Sequence, residues 1–132
     1  MKQKKLVSVF QKHGVVLAYQ FGSSAHGKKG PLSDTDIAVL FAAGKEPKGF
    51  AFDILSDLQE IFPDADLTIL NQAPPLLRHL VATDGKLLYE AEMNINHQFA
   101  SKALKDYEDT RYLRQVFMQS VKERVTHEYQ TA

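Results

Sequence analysis

Phe21-Gly22-Ser23-Ser24-Ala25-His26-Gly27, followed after Lys28-Lys29-Gly30 by Pro31-Leu32-Ser33-Asp34-Thr35-Asp36-Ile37, is the stretch on which the reading of this 132-residue chain turns. The residues before it, Val15 to Phe21, are mostly aliphatic and aromatic and predict a short strand. That strand delivers Gly22 and Ser23 to its end. A glycine there lets a phosphate approach the backbone, and a serine after it suits a helix cap, so a short helix from Ser23 would present N–H groups to an anion. Gly27 to Ser33 reads as a loop. Thr35 to Phe41 reads as a second strand, with Ile37, Val39 and Phe41 on one face and Asp36, Ala38 and Leu40 on the other.

Asp34 and Asp36 stand two apart at the start of that strand and so share a face. Two carboxylates this close repel unless a cation lies between them, and hard oxygen ligands suit Mg²⁺ or Mn²⁺. Each feature alone has a plainer reading. Gly-Ser after a strand is commonly a turn, and Asp-x-Asp is commonly a solvated turn. Asp66 shifts the balance, because Ala65-Asp66-Leu67-Thr68-Ile69-Leu70 is otherwise an apolar third strand. A buried carboxylate is costly unless paired or metal-bound. Beside the second strand, Asp66 would join Asp34 and Asp36 in one metal cluster; at an edge next to Asp64 it would merely face water.

Lys2 to His13 has the spacing of an amphipathic helix, with Leu6, Val9, Phe10 and His13 on one side, and Gly14 ends it. Phe50 to Phe62 repeats the helical pattern through Phe50, Ile54 and Leu58, and Pro63 stops it. Asn71 to Pro75 is a turn into a helix that has Pro75 near its first position and ends before Gly85. Leu87-Leu88-Tyr89 suggests a short edge strand. From about Asn96 to His127, Phe99, Ala103, Tyr107, Leu113, Phe117, Val121 and Val125 recur on one helical face, a stripe that reads as core. The fold class is α/β: a small mixed sheet with flanking helices and a long C-terminal helix.

The bulk properties narrow the function classes. Formal net charge is zero, which gives no footing for coating a nucleic acid, so direct nucleic-acid binding is not expected. No cysteine is present, excluding disulfides and thiolate metal sites and fitting a cytoplasmic protein. No long apolar run predicts a signal peptide or membrane span. His13, His79, His97 and His127 lack metal-ligand spacing and read as solvated or packing residues. Arg111, Arg114, Lys122 and Arg124 read as the wet face of the last helix.

Gly22-Ser23, the ten residues that follow, and Asp34-Thr35-Asp36 resemble the signature of the polymerase β nucleotidyltransferase superfamily. The extended forms Gly-Ser-x-Ala-x-Gly and Ser-Asp-x-Asp-Ile resemble its minimal members, the MNT antitoxins of HEPN/MNT toxin–antitoxin pairs. The likeness continues in Leu70-Asn71-Gln72-Ala73-Pro74-Pro75-Leu76 and Gly85-Lys86-Leu87-Leu88-Tyr89-Glu90. It covers roughly Val15 to Glu90. The resemblance implies a polymerase β-type fold in one nucleotidyltransferase domain over residues 1–132, with its core at about 15–90 and a helical segment at about 94–129.

It also implies an antitoxin that transfers AMP from ATP to a tyrosine of a HEPN ribonuclease toxin, its partner in a hetero-oligomer. Asp34 and Asp36 would bridge two Mg²⁺ ions. Asp66 would bind the catalytic metal and help deprotonate the attacking hydroxyl, and Gly22 and Ser23 would hold the β- and γ-phosphates. His26 departs from the pattern, which often has arginine at that place. A neutral histidine binds phosphate less strongly than a guanidinium. Two alternatives stay open: an antitoxin that neutralises by contact alone, and transfer to a small molecule such as an aminoglycoside.

Overall fold

The computed structural model describes residues 2–22, 35–49 and 51–131, with side chains as far as residue 127. Among these residues the order is α1 (Lys2–Lys12), β1 (Val15–Phe21), β2 (Thr35–Phe41), α2 (Phe52–Ile61), β3 (Ala65–Ile69), a 3₁₀ turn (Leu70–Gln72), α3 (Pro75–Asp84), β4 (Lys86–Glu90), α4 (Ile95–Asp109) and α5 (Arg111–Thr131). The short helix expected from Ser23 and the loop to Ser33 lie outside the described residues.

The strands form one mixed sheet in the order β3-β2-β1-β4. β1 runs antiparallel to β2 and β4, whereas β2 and β3 are parallel, the crossover between them carrying α2. Alternation along β2 divides the core as its sequence predicts. Ile37, Val39 and Phe41 pack with Leu6 and Phe10 of α1 and Ile54 and Leu58 of α2. Ala38 and Leu40 face the other layer, with Leu17, Tyr19, Leu70, Val81 of α3 and Phe99 of α4. A register irregularity between Val15 and Leu17 lets Val15 and Ala18 both join the first layer. Burying each of the larger aliphatic side chains contributes about 1.5–3 kcal/mol.

Two residues in the downstream segments have clear structural reasons. Asn71 closes the end of β2: its Oδ1 accepts the Phe41 N–H at 2.9 Å, and its Nδ2 donates to the Phe41 carbonyl at 3.1 Å. One side chain thus stands in for a further ladder pair. Gly85, between α3 and β4, has no room for a side chain, because a Cβ there would lie 2.4 Å from the Val81 carbonyl oxygen and 3.2 Å from Tyr19 Cβ.

The C-terminal helical pattern is divided. Thr110 separates α4 from α5, and its N–H still reaches the Asp106 carbonyl at 3.1 Å. The apolar stripe changes character at that break. Phe99 and Ala103 are buried, but Leu113 is 65% and Phe117 67% exposed. The expectation of a core stripe therefore holds for α4 and fails for α5. The break interrupts the face that α4 presents to the sheet, and α5 carries its apolar residues out to solvent.

Candidate active site

Three of the five candidate residues fall within the described chain, and the sheet brings them to one end. β1 ends at Phe21, which pairs with Asp36, so Gly22 arrives beside the start of β2. Gly22 has φ +76°, in the left-handed region that favours glycine, and a Cβ built on it would lie 2.6 Å from Asp36 Oδ2. The turn is thus both bent and pressed against the carboxylate, which any side chain here would displace. Across the parallel pair, Asp36 is the register partner of Asp66. Register partners on neighbouring strands share a face and lie about 4.8 Å apart. Ser23 and Asp34 lie outside the described residues, as does His26.

Asp36 is half-buried, while Asp66 is exposed on an edge strand with its Oδ1 accepting the Leu67 N–H at 2.9 Å. The burial cost that singles out Asp66 in the sequence is therefore absent; register, rather than burial, sets it beside Asp36. The donor set suits a hard divalent cation: carboxylate oxygens from register partners on two adjacent strands. Among the described residues no group of three possible metal ligands stands together; the third carboxylate of the expected cluster, Asp34, is not among them.

The neighbouring carboxylate does something the sequence reading misses. Asp64, expected to be a plain turn residue, accepts a bond from the Thr35 hydroxyl at 3.1 Å on its Oδ1, and its main-chain carbonyl accepts the Thr35 N–H at 3.2 Å. Thr35 is buried, the one buried polar side chain among the described residues. Strand alternation is the signal that could have found it, since it turns the residue between the two aspartates to the face opposite Asp36.

Other titratable groups hold structure. The Tyr19 hydroxyl donates to Asn96 Oδ1, whose own N–H donates to Glu90 Oε2 at 2.7 Å. Burial first, and the Glu90 charge second, push the Tyr19 phenol up to about 12. His13 Nε2 lies 2.7 Å from Asp57, and Lys12 lies 3.1 Å from the same carboxylate; the His13 bond first, then Lys12, hold Asp57 below its usual range. His79 stacks on Tyr107 at 4.4 Å. Arg114 is not simply solvated. Its guanidinium lies 3.9 Å over the Tyr107 ring and donates to the Tyr107 carbonyl and the Thr110 hydroxyl, pinning the α4–α5 elbow.

Comparison with known proteins bears on the family and the fold. Residues 4–94 match the polymerase beta nucleotidyltransferase family, and the chain belongs to that family. It is 37% identical over 95 residues to the protein adenylyltransferase MntA of Aphanizomenon flos-aquae, a match covering 64% of this chain and 63% of that protein, so under two thirds of its length. A putative protein adenylyltransferase of Methanocaldococcus jannaschii is 30% identical over 87 residues, covering 63% of this chain and 89% of that one. Among solved structures, a chain of a toxin–antitoxin complex with AMP-PNP superposes with a TM-score of 0.79 at 27% identity, covering 92% of this chain and 99% of that chain. A chain from the complex of tri-AMPylated Shewanella oneidensis HEPN toxin with MNT antitoxin superposes with a TM-score of 0.72 at 25% identity, covering 92% and 96%. The fold is the polymerase β-type nucleotidyltransferase fold, and the chains it resembles include MntA and an MNT antitoxin.

Proposed function

We propose that this protein is an antitoxin nucleotidyltransferase that moves AMP from ATP to a tyrosine hydroxyl of a HEPN ribonuclease toxin and thereby silences it. The observation that carries this reading is the in-register pair Asp36–Asp66 on adjacent parallel strands, with Gly22 packed against the Asp36 carboxylate. The relatives support the transferred group and the kind of acceptor: one is a protein adenylyltransferase, and one solved complex contains an AMPylated HEPN toxin. The exposed apolar side chains of α5 support a protein partner over a small-molecule acceptor, since contiguous apolar surface of this kind marks interaction sites.

In this mechanism Gly22 and Ser23 hold the β- and γ-phosphates, the glycine by letting the phosphate approach the main chain and the serine through its hydroxyl. Asp34, Asp36 and Asp66 would hold two Mg²⁺ ions, which when bound supply charge neutralisation at the triphosphate and acidify the attacking hydroxyl. The tyrosine oxygen attacks the α-phosphorus, the bond from that phosphorus to the oxygen bridging it to the β-phosphorus breaks, and pyrophosphate leaves. Asp66, exposed at the mouth of the sheet, accepts the tyrosine proton.

Asp36→Asn and Asp66→Asn test the reading. Each keeps the side-chain shape and removes a charge, so each should abolish AMP transfer to the toxin while the far-ultraviolet circular dichroism stays that of the parent. Full transfer by Asp36→Asn would sink the assignment.

A further inference from the structure

We infer that Thr35 and Asp64 act together as a positioning clasp that sets the Asp36 and Asp66 carboxylates at the spacing a divalent ion needs. This inference rests on the function proposed above and extends it to two residues outside the acidic triad. The clasp has two points. The Thr35 N–H meets the Asp64 carbonyl at 3.2 Å, and the Thr35 hydroxyl meets Asp64 Oδ1 at 3.1 Å. Both points lie where the two parallel strands begin: Thr35 and Ala65 are register partners, and the next pair along is Asp36 and Asp66.

The placement matters because β3 is an edge strand, with a neighbour on one side only. Such a strand is held in register by fewer ladder bonds than a central one, and a slip of one residue moves a side chain about 3.3 Å along the strand and onto the opposite face. Mg²⁺ tolerates far less, since it demands near-octahedral geometry at about 2.1 Å. A main-chain bond alone fixes the distance between the strand ends. Adding the side-chain bond fixes the turn before β3 as well, from which Asp66 projects two residues later. Thr35 is buried, so its hydroxyl is directed rather than rotating in solvent.

Asp64 is therefore assigned a role other than ligand. Its Oδ1 is engaged with Thr35 on the side of the sheet opposite that of the Asp36 carboxylate, because successive side chains of β2 alternate in face.

The test titrates Mn²⁺ alone into the purified protein, following free ion by electron paramagnetic resonance, with a thermal melt of each variant. Thr35→Val keeps the volume and removes the hydroxyl; Asp64→Ala removes the side-chain acceptor at a half-exposed position. Both should weaken Mn²⁺ binding by about ten-fold or more, the range seen when groups that orient metal ligands are lost. Thr35→Ser keeps the hydroxyl and Asp64→Asn keeps an oxygen acceptor, so both should bind within about three-fold of the parent. A bond that only stabilises the fold would lower the melting temperature and leave Mn²⁺ affinity alone. Thus Asp64→Ala binding Mn²⁺ like the parent overturns the clasp, whatever the melt shows, and it decides the matter if Thr35→Val fails to fold. A parent protein that binds no Mn²⁺ overturns the proposed metal site and the clasp with it, an outcome distinct from a binding parent with indifferent variants.

Discussion

Gly22→Ala separates the two demands that the Gly22 turn meets. The first is conformational: at φ +76° an L-residue costs about 1–2 kcal/mol, which for a chain of this size lowers the melting temperature by roughly 4–8 °C. The second is spatial. The new Cβ would sit 2.6 Å from Asp36 Oδ2, and ordinary contact begins at 3.4 Å, so the carboxylate must retreat. A carboxylate oxygen is the mobile end of its side chain, so this retreat adds little to the folding cost. At a reacting or coordinating group, however, a displacement on the order of 1 Å costs about 10²-fold in rate. Gly44→Ala supplies the control, because Gly44 has φ +80° and nothing within 4 Å of a built Cβ. Both variants should melt a few degrees early, but only Gly22→Ala should lose AMP transfer, by about 100-fold at a temperature where both are folded. The assay is the initial rate of AMP incorporation into the toxin, alongside thermal melts. Equal transfer rates for the two variants would refute the claim that Gly22 makes room for Asp36.

Three further outcomes follow from the packing. The Tyr19 phenol, raised to about 12, keeps its proton more tightly in the folded than in the unfolded chain, so its contribution to stability is full below pH 10 and is lost as pH rises through 12. An ultraviolet absorbance titration should show a late tyrosine transition that Tyr19→Phe removes; its persistence in that variant would assign the transition elsewhere. Asn71→Ala strips both main-chain bonds from Phe41 and should cost about 1–3 kcal/mol in urea unfolding, whereas a change under 0.3 kcal/mol would show the pair to be idle. Leu58→Ala in the core should cost about 2–5 kcal/mol, while Phe117→Ser on α5 should change stability by less than about 0.5 kcal/mol. A large loss at Phe117 would mean that α5 packs against the body after all.

The strands were legible because they are short runs rich in β-branched, aliphatic and aromatic residues, β1 being flanked by Gly14 and Gly22. β1 and β2 fall where the pattern of Val15 to Phe21 and of Ile37, Val39 and Phe41 puts them, and the split of the core between two layers follows from that alternation. Strand order was not legible, since which strands pair depends on tertiary contacts rather than on local pattern; yet that order sets Asp66 beside Asp36. Helical periodicity carried the stripe across Thr110 because a single threonine leaves the spacing nearly intact, although the helix ends there. Periodicity also says which residues share a face, not what the face meets, so the exposure of Leu113 and Phe117 had no sequence signal. The Thr35–Asp64 clasp was hidden for a similar reason. Its partners are far apart in sequence, and Asp64 alone is indistinguishable from any carboxylate after a proline.

Catalysis and simple binding leave the toxin in different states. A HEPN-type toxin is incubated with a small molar fraction of this protein, ATP and Mg²⁺; the protein is then removed, and the toxin's intact mass and RNA-cleaving activity are determined. An enzyme leaves a covalent mark, so the expected product is a toxin carrying added AMP on tyrosine that stays inactive after separation, with no such product when Asp36→Asn replaces the parent protein. Unchanged toxin mass, with protection only at equimolar ratio and equally good without ATP, would contradict catalysis and leave an antitoxin that works by contact alone.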